Sequence, residues 1–368
     1  MKTSTSGWFW IAAMALVLLL PASPAGAWGP ATHLELGMAV LKDLACLAPA
    51  IGLLIRRYPL DFLYGNLAAD ITVGKDLAPY ALHCHNWQVA RTILELAEED
   101  STRAFAWGYL AHLAADVVAH NYFVPFKMVQ HYHRRRTAHT LWELQVDTWV
   151  SEETWSKART LSTRAFKEHD RHLKRIIVGP LFSFPVNKQI FNSFIMANRM
   201  LRYRRAVRAV MRQDLLLEMS DVDEIRRLSL GRMRSLLSYG LEAPELSADP
   251  TGHRNLLVAR QLHHLLYRRH REGMGVDPEQ IERLRKLFRD SVDSTLELPP
   301  LDEIVGMPSE KQAGGAKRRW HVPRLSQRKR GGSNAGTKAR AVLKSLKRAV
   351  KRGPVKAWSR TRRKKKSR

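Results

Sequence analysis

The chain has 368 residues, 45% of them hydrophobic, which is enough to bury a sizeable core and excludes wholesale disorder. Two cysteines exclude a disulfide-stapled scaffold and a thiolate zinc ribbon. A net charge of +27 would point to nucleic acid if it were evenly spread, but residues 311–368 hold 23 Lys/Arg and no Asp/Glu, leaving 38 basic and 34 acidic residues in 1–310.

The chain opens with Lys2, an apolar run Trp8–Leu20, and the small residues Ala25-Gly26-Ala27. This order predicts a secretory signal peptide over 1–27. An uncleaved anchor is the alternative, and it would need a run of ~20 apolar residues. Cleavage after Ala27 makes Trp28 the mature N-terminus. It also predicts an exported protein, periplasmic, secreted or held at the cell surface, in which a Cys46–Cys84 disulfide is chemically allowed.

Residues 28–160 are dense in apolar residues at helical spacing. Thr32-His33-Leu34-Glu35 reads as a capping box that opens the first helix, which Leu34, Met38 and Leu41 continue. Further helices are predicted over 86–98, 102–122, 138–156, 190–212, 222–240, 253–272 and 278–292. Ile176-Ile177-Val178 is the one β-branched run, and it stops at Gly179-Pro180. The expected fold class is all-α, a compact multi-helix domain over 28–300. From 301 the composition turns to Gly, Ser, Lys and Arg, which predicts a largely disordered basic tail over 301–368. Within it Val342–Val350 could form a short amphipathic helix.

The third of these helices carries His112, Asp116 and His120 at i, i+4, i+8 with only apolar residues between them. On a continuous helix they share one face. Burying three ionisable groups unpaired is costly, and the partner that suits imidazole and carboxylate together is a metal ion. The fourth helix repeats the spacing with His139, Glu143 and Asp147. Asp70, His83, His85 and His33 are further candidates. Nitrogen and oxygen donors without thiolate suit zinc, with manganese or iron as alternatives.

This constellation resembles the zinc-dependent phospholipase C family, which shares its all-helical architecture with single-strand-specific zinc nucleases. The carriers are Trp28 in Ala27-Trp28-Gly29-Pro30 together with the His/Asp/Glu pattern. The resemblance implies two to three zinc ions. Trp28, through its free amine, and His33 would hold one, Asp116 would bridge to a second on Asp70, His85 and His112, and His120, His139 and Glu143 would hold the third. His85 is preferred to His83 because Trp87 stands two residues after it. The resemblance covers 28 to about 155 by motif, and 160–300 by helical character.

The implied activity is phosphodiester hydrolysis of phospholipid headgroups, with Asp70 as catalytic base or water orienter. Two other readings are a zinc-dependent single-strand nuclease of the same fold, whose partner would be nucleic acid, and a non-catalytic metal-binding surface protein. The basic tail is expected to bind anionic membrane surfaces, or else merely to solubilise the chain.

Overall fold

The computed structural model of the protein describes residues 29–72, 83–135, 139–177, 181–200 and 216–292. The expected signal segment, Trp28 and the basic tail lie outside these residues. So does the distal half of the helix expected over 190–212.

The fold is all-α, with no strand among the described residues. Helices α1 (Pro30–Lys42), α2 (Pro49–Arg57) and α3 (Pro59–Ala68) each begin on a proline. Proline's fixed φ and missing N–H suit the first helical turn. A 3-10 turn, Ala69–Ile71, extends α3. Helix α4 (Trp87–Glu95) is capped by Asn86, whose side chain accepts from the Gln88 N–H. Helix α5 (Asp100–Val118) runs into a π-helical turn, Ala119–Phe123, and then into α6 (Val124–Gln130). There follow α7 (His139–Asp147), α8 (Glu152–Thr163), α9 (Lys167–Ile176) and α10 (Phe184–Met200). Helix α11 (Met219–Tyr239), two short 3-10 turns, α12 (His253–Arg271) and α13 (Pro278–Asp290) complete the series.

Helix α5 is the axis of the core. Phe105, Tyr109, Leu110, Leu113 and Val117 are fully buried along it, as expected of a helix that is apolar on every side. Burying each such side chain contributes roughly 1.5–3 kcal/mol. Helices α3, α4 and α11 pack around α5, α1 lies on α3 and α8, and α12 and α13 pack against α6 and the π turn. Glu224 on α11 accepts from the Tyr122 hydroxyl at 3.0 Å and from Arg285 of α13 at 2.6 Å, tying both helices to that turn.

The contact between α3 and α5 is made by backbone. A Cβ added to Gly65 would overlap the Phe105 carbonyl oxygen, and one added to Gly108 would overlap the Phe62 carbonyl oxygen. The two glycines therefore let the helices cross without intervening side chains.

Several local expectations are corrected. The N-cap of α1 is Gly29, and Thr32 sits inside the helix with its hydroxyl given to Asp147. The helix expected over 138–156 is two, because Ser151 caps α8 by accepting from the Thr154 N–H. Helices α2, α3 and α9 were not anticipated. Cys46 is exposed, Cys84 is buried, and both are free thiols.

Gly108→Ala is expected to destabilise the fold by about 1–3 kcal/mol, the cost of forcing a methyl group into a packed contact. Urea unfolding against a Gly231→Ala control, where nothing lies within 4 Å of the added carbon, measures it.

Candidate metal centre

The close crossing of α3 and α5 sets the first two groups of the site. Asn66 follows Gly65, and His112 lies one turn beyond Gly108. The Asn66 carbonyl accepts from His112 Nδ1 at 2.8 Å. Because a carbonyl can only accept, the proton is on Nδ1 and the Nε2 lone pair faces inward. The 3-10 turn at the end of α3 then brings Asp70 to the same place, and the loop before α4 brings His85.

Five side chains converge there. Asp116 Oδ1 lies 3.2 Å from His33 Nε2. Asp116 Oδ2 lies 3.1 Å from both His85 Nε2 and His112 Nε2. Asp70 Oδ1 is 3.2 Å from His85 Nε2 and 3.9 Å from His112 Nε2. The rings of His33 and His112 stack at 3.6 Å. Ligand atoms of His33, His112 and Asp116, and likewise of Asp70, His85 and His112, lie within 4.8 Å of one another.

These are short approaches, but those of Asp116 and His33 lack hydrogen-bond geometry. Both oxygens of the fully buried Asp116 and both ring nitrogens of the fully buried His33 have no hydrogen-bond partner. Such groups are costly to bury unless a charge meets them. Donors at ~2.0–2.1 Å from a tetrahedral zinc would stand about 3.3 Å apart, close to the separations found. The His/Asp donor set, with lone pairs turned inward, thus fits zinc.

The electrostatics agree in sense. Burial raises the Asp116 carboxyl, but His112 and His33 more than offset it and hold the group well below the usual carboxylate range. Burial lowers His112, yet Asp116 and Asp70 outweigh it and push the ring up. His33 goes down, through burial and the neighbouring His112.

His120 stands apart from this cluster. The turn changes from α to π at Ala119, just before His120, and Asp116 remains a charged neighbour of the ring. His120 Nδ1 donates to the Pro250 carbonyl at 2.6 Å, and Nε2 lies 3.7 Å from Glu143 Oε1 of α7. Burial lowers this ring, but Glu143 and Asp116 raise it to about 9. The Pro250 loop is itself anchored. Trp87 Nε1 donates to the Ala248 carbonyl at 2.7 Å, and Asn121 Nδ2 donates to the Asp249 carbonyl at 2.8 Å. Gly252, at φ +55°, lies against the His120 backbone where a Cβ would overlap the carbonyl oxygen.

Thus His33, Asp70, His85, His112 and Asp116 come together, and His120 and Glu143 form a neighbouring pair. His139 begins α7, its side chain being outside the described residues, as is Trp28. His83 lies beside the cluster, its Nδ1 accepting from the His85 N–H at 3.1 Å.

Two contributions were not read from the sequence. One is the Pro250 carbonyl. The other is Asp147, which accepts from the N–H groups of Thr32 at 2.8 Å and Ala31 at 3.3 Å and from the Thr32 hydroxyl at 2.6 Å. It thereby clamps the start of α1, and its carboxylate fills the space a Cβ on Gly29 would need. The i, i+8 spacing from His139 marked Asp147 as notable but suggested a ligand rather than a clamp.

Asp116→Ala is expected to remove more metal than His33→Ala, because its two oxygens face different histidines. Elemental analysis of the purified variants checks this, with equal losses as the contrary result. Burial pushes the Asp147 carboxyl up to about 7, despite the hydrogen bonds from Thr32 and Ala31. The ordinary value is about 4. Between those values the folded state holds a proton that the unfolded state has released, so stability falls as pH rises through the window. In metal-free protein the wild type should therefore lose stability relative to Asp147→Asn, by at most about 1.4 kcal/mol per pH unit. A pH-independent difference in urea unfolding would contradict this.

A family model described as zinc dependent phospholipase C matches residues 32–180. No curated protein and no solved structure matches the chain. The matched stretch contains every candidate ligand but Trp28, and it ends before the loop that holds His120. Residues 32–180 are therefore the part of the chain that is similar to the zinc-dependent phospholipase C family.

Proposed function

We propose that the protein is an exported zinc hydrolase that cleaves phosphodiester bonds, acting as a phospholipase C on phospholipid headgroups. The observation that carries this reading is Asp116, a buried carboxylate with each oxygen facing a different set of imidazoles. That arrangement suits a carboxylate shared between two ions. Zinc, when bound, supplies a polarising charge for a phosphoryl oxygen and lowers the pKa of a coordinated water.

The chain's own residues divide the remaining work. His112 and His120 are held in one tautomer by the Asn66 and Pro250 carbonyls, so that Nε2 is the ligating atom in each. Asp70 is 12% exposed, whereas Asp116 is fully buried. Asp70 is thus the carboxylate at the mouth of the cluster, placed to accept a proton from an attacking water. Asp147 fixes the first turn of α1, and with it the distance from the start of the mature chain to His33. Cleavage after Ala27 would release the Trp28 amine one residue before the Gly29 that Asp147 contacts.

Among the described residues no helix is long and apolar enough to cross a membrane. Export and membrane attachment in this reading rest on the sequences of the N-terminal segment and the basic tail. The test is metal analysis of the processed protein with parallel turnover assays on phosphatidylcholine, phosphatidylglycerol and single-stranded DNA. The expected outcome is two to three zinc ions and release of diacylglycerol, abolished by a chelator and restored by zinc. DNA hydrolysis without lipid turnover would favour the nuclease reading, and bound zinc without either activity the non-catalytic one.

A further inference from the structure

Helices α9 and α10 enclose an open surface groove of about 740 Å³. Four cations line it, Lys167, Arg171, Lys174 and Lys188, against one carboxylate, Asp170. That carboxylate is already committed. It accepts from the Tyr64 hydroxyl, and Lys188 Nζ lies 2.5 Å from its other oxygen. Arg171 pairs with the exposed Glu168 at 2.6 Å, a contact that solvent screens. Among the described residues no carboxylate stands within ion-pair distance of Lys167 or Lys174.

On the α10 side Phe184, Pro185 and Met196 line the groove beside Lys188 and polar residues. Met196 is 40% exposed, and next to the lining in sequence Leu181, Phe182 and Val186 are 46%, 38% and 41% exposed, on α10 or just before it. Helix α10 has two distinct faces. Asn187, Phe191 and Ile195 are buried, whereas Pro185, Gln189, Asn192 and Met196 border the groove. The helix packs on α8 and on the 3-10 turn Ala69–Ile71, which carries Asp70.

From this combination we infer that the α9–α10 groove docks the protein on an anionic phospholipid surface, with lipid phosphates among the lysines and the apolar rim of α10 entering the acyl boundary. The inference rests on the phospholipase reading of the metal centre. A nucleic acid would also satisfy the cations and could stack a base on Phe182, but it offers little to the exposed aliphatic side chains of Leu181, Val186 and Met196. A lipid interface meets both features, since amphipathic helices bind membranes through buried apolar area together with attraction to anionic headgroups. Because α10 also abuts the turn bearing Asp70, docking here would hold the metal centre beside the bilayer instead of leaving attachment to the tail alone.

The experiment is sedimentation of the full-length processed protein with vesicles of phosphatidylcholine, with and without phosphatidylglycerol. Zinc content and melting temperature are the controls for folding. Arg171→Glu with Lys174→Glu should weaken binding to the anionic vesicles by about tenfold or more, and leave binding to neutral vesicles unchanged. Val186→Ser with Met196→Ser, which leaves every charge in place, should weaken binding to both kinds and stands as the independent test if the first variant misfolds. Wild-type binding by both variants would overturn the inference, since attachment would then belong to the tail. So would a larger loss of single-stranded oligonucleotide binding than of vesicle binding. Failure of the catalytic reading would look different: vesicle binding would respond to the substitutions as expected while no lipid is turned over by any form.

Discussion

The constraint on which the rest depends is the crossing of α3 over α5 at Gly65 and Gly108. No side chain separates the two backbones there, so the distance between the helices is set by carbonyl and Cα atoms alone. Side-chain packing tolerates rotamer adjustment, whereas backbone contact does not. From that fixed point the Asn66 carbonyl reaches His112, the turn after α3 delivers Asp70, and Asp116 lies one turn further along α5. The metal-binding geometry is thus a consequence of how two helices touch, and the ligands themselves need contribute little to holding the helices in register.

The same arrangement places ionisable groups on a helix that is buried along most of its length. Asp116 and His33 have no hydrogen-bond partner for any side-chain oxygen or nitrogen. In the absence of a cation, the folded state must carry the desolvation cost of those atoms. A ligand that binds only the folded form stabilises it by mass action, so metal and fold are thermodynamically linked here. The apolar surroundings that make the site expensive to leave empty also keep its dielectric low, which strengthens every charge interaction within it.

Much of this was legible in the sequence, for reasons that differ by residue. The all-helical class follows from apolar spacing, and the imidazole–carboxylate pattern of His112 and Asp116 survives because it lies within one regular helix. From spacing alone His33, Asp70 and His85 stood only as individual candidates, since their convergence depends on the glycine crossing and on the loop before α4, and it was the family resemblance that grouped them with His112 and Asp116. The partners of His120 were less legible, because the chain widens to a π turn at Ala119 and the ring is held by Glu143 and a distant loop carbonyl. The break between α7 and α8 was missed although Ser151-Glu152-Glu153 is a recognisable helix start, because the apolar pattern of Trp149, Val150 and Trp155 continues across it. Helices α2 and α3 went unread for the opposite reason. Their prolines announce helix starts, but each helix is too short to establish a period. Asp147 was noticed for its spacing but given no role, because a carboxylate that clamps a distant helix leaves the same trace in a sequence as one that ligates a metal.

The loop that carries Pro250 has a consequence for how such proteins diverge. It grips His120 by a main-chain carbonyl, and its neighbours Ala248 and Asp249 are likewise held through their carbonyl oxygens. Almost any residue type supplies a carbonyl, so substitutions could accumulate along this stretch while the imidazole stays oriented. Gly252 is restricted, by its left-handed backbone and the His120 main chain pressed against it, and Asp249 by its carboxylate, which accepts from the Thr251 N–H and hydroxyl and from the His253 N–H. The three carbonyl contacts themselves are nonetheless free of side-chain identity. Selection acting on it would conserve a path of the backbone, and relatives with unrelated residues here could keep the same ring in the same place.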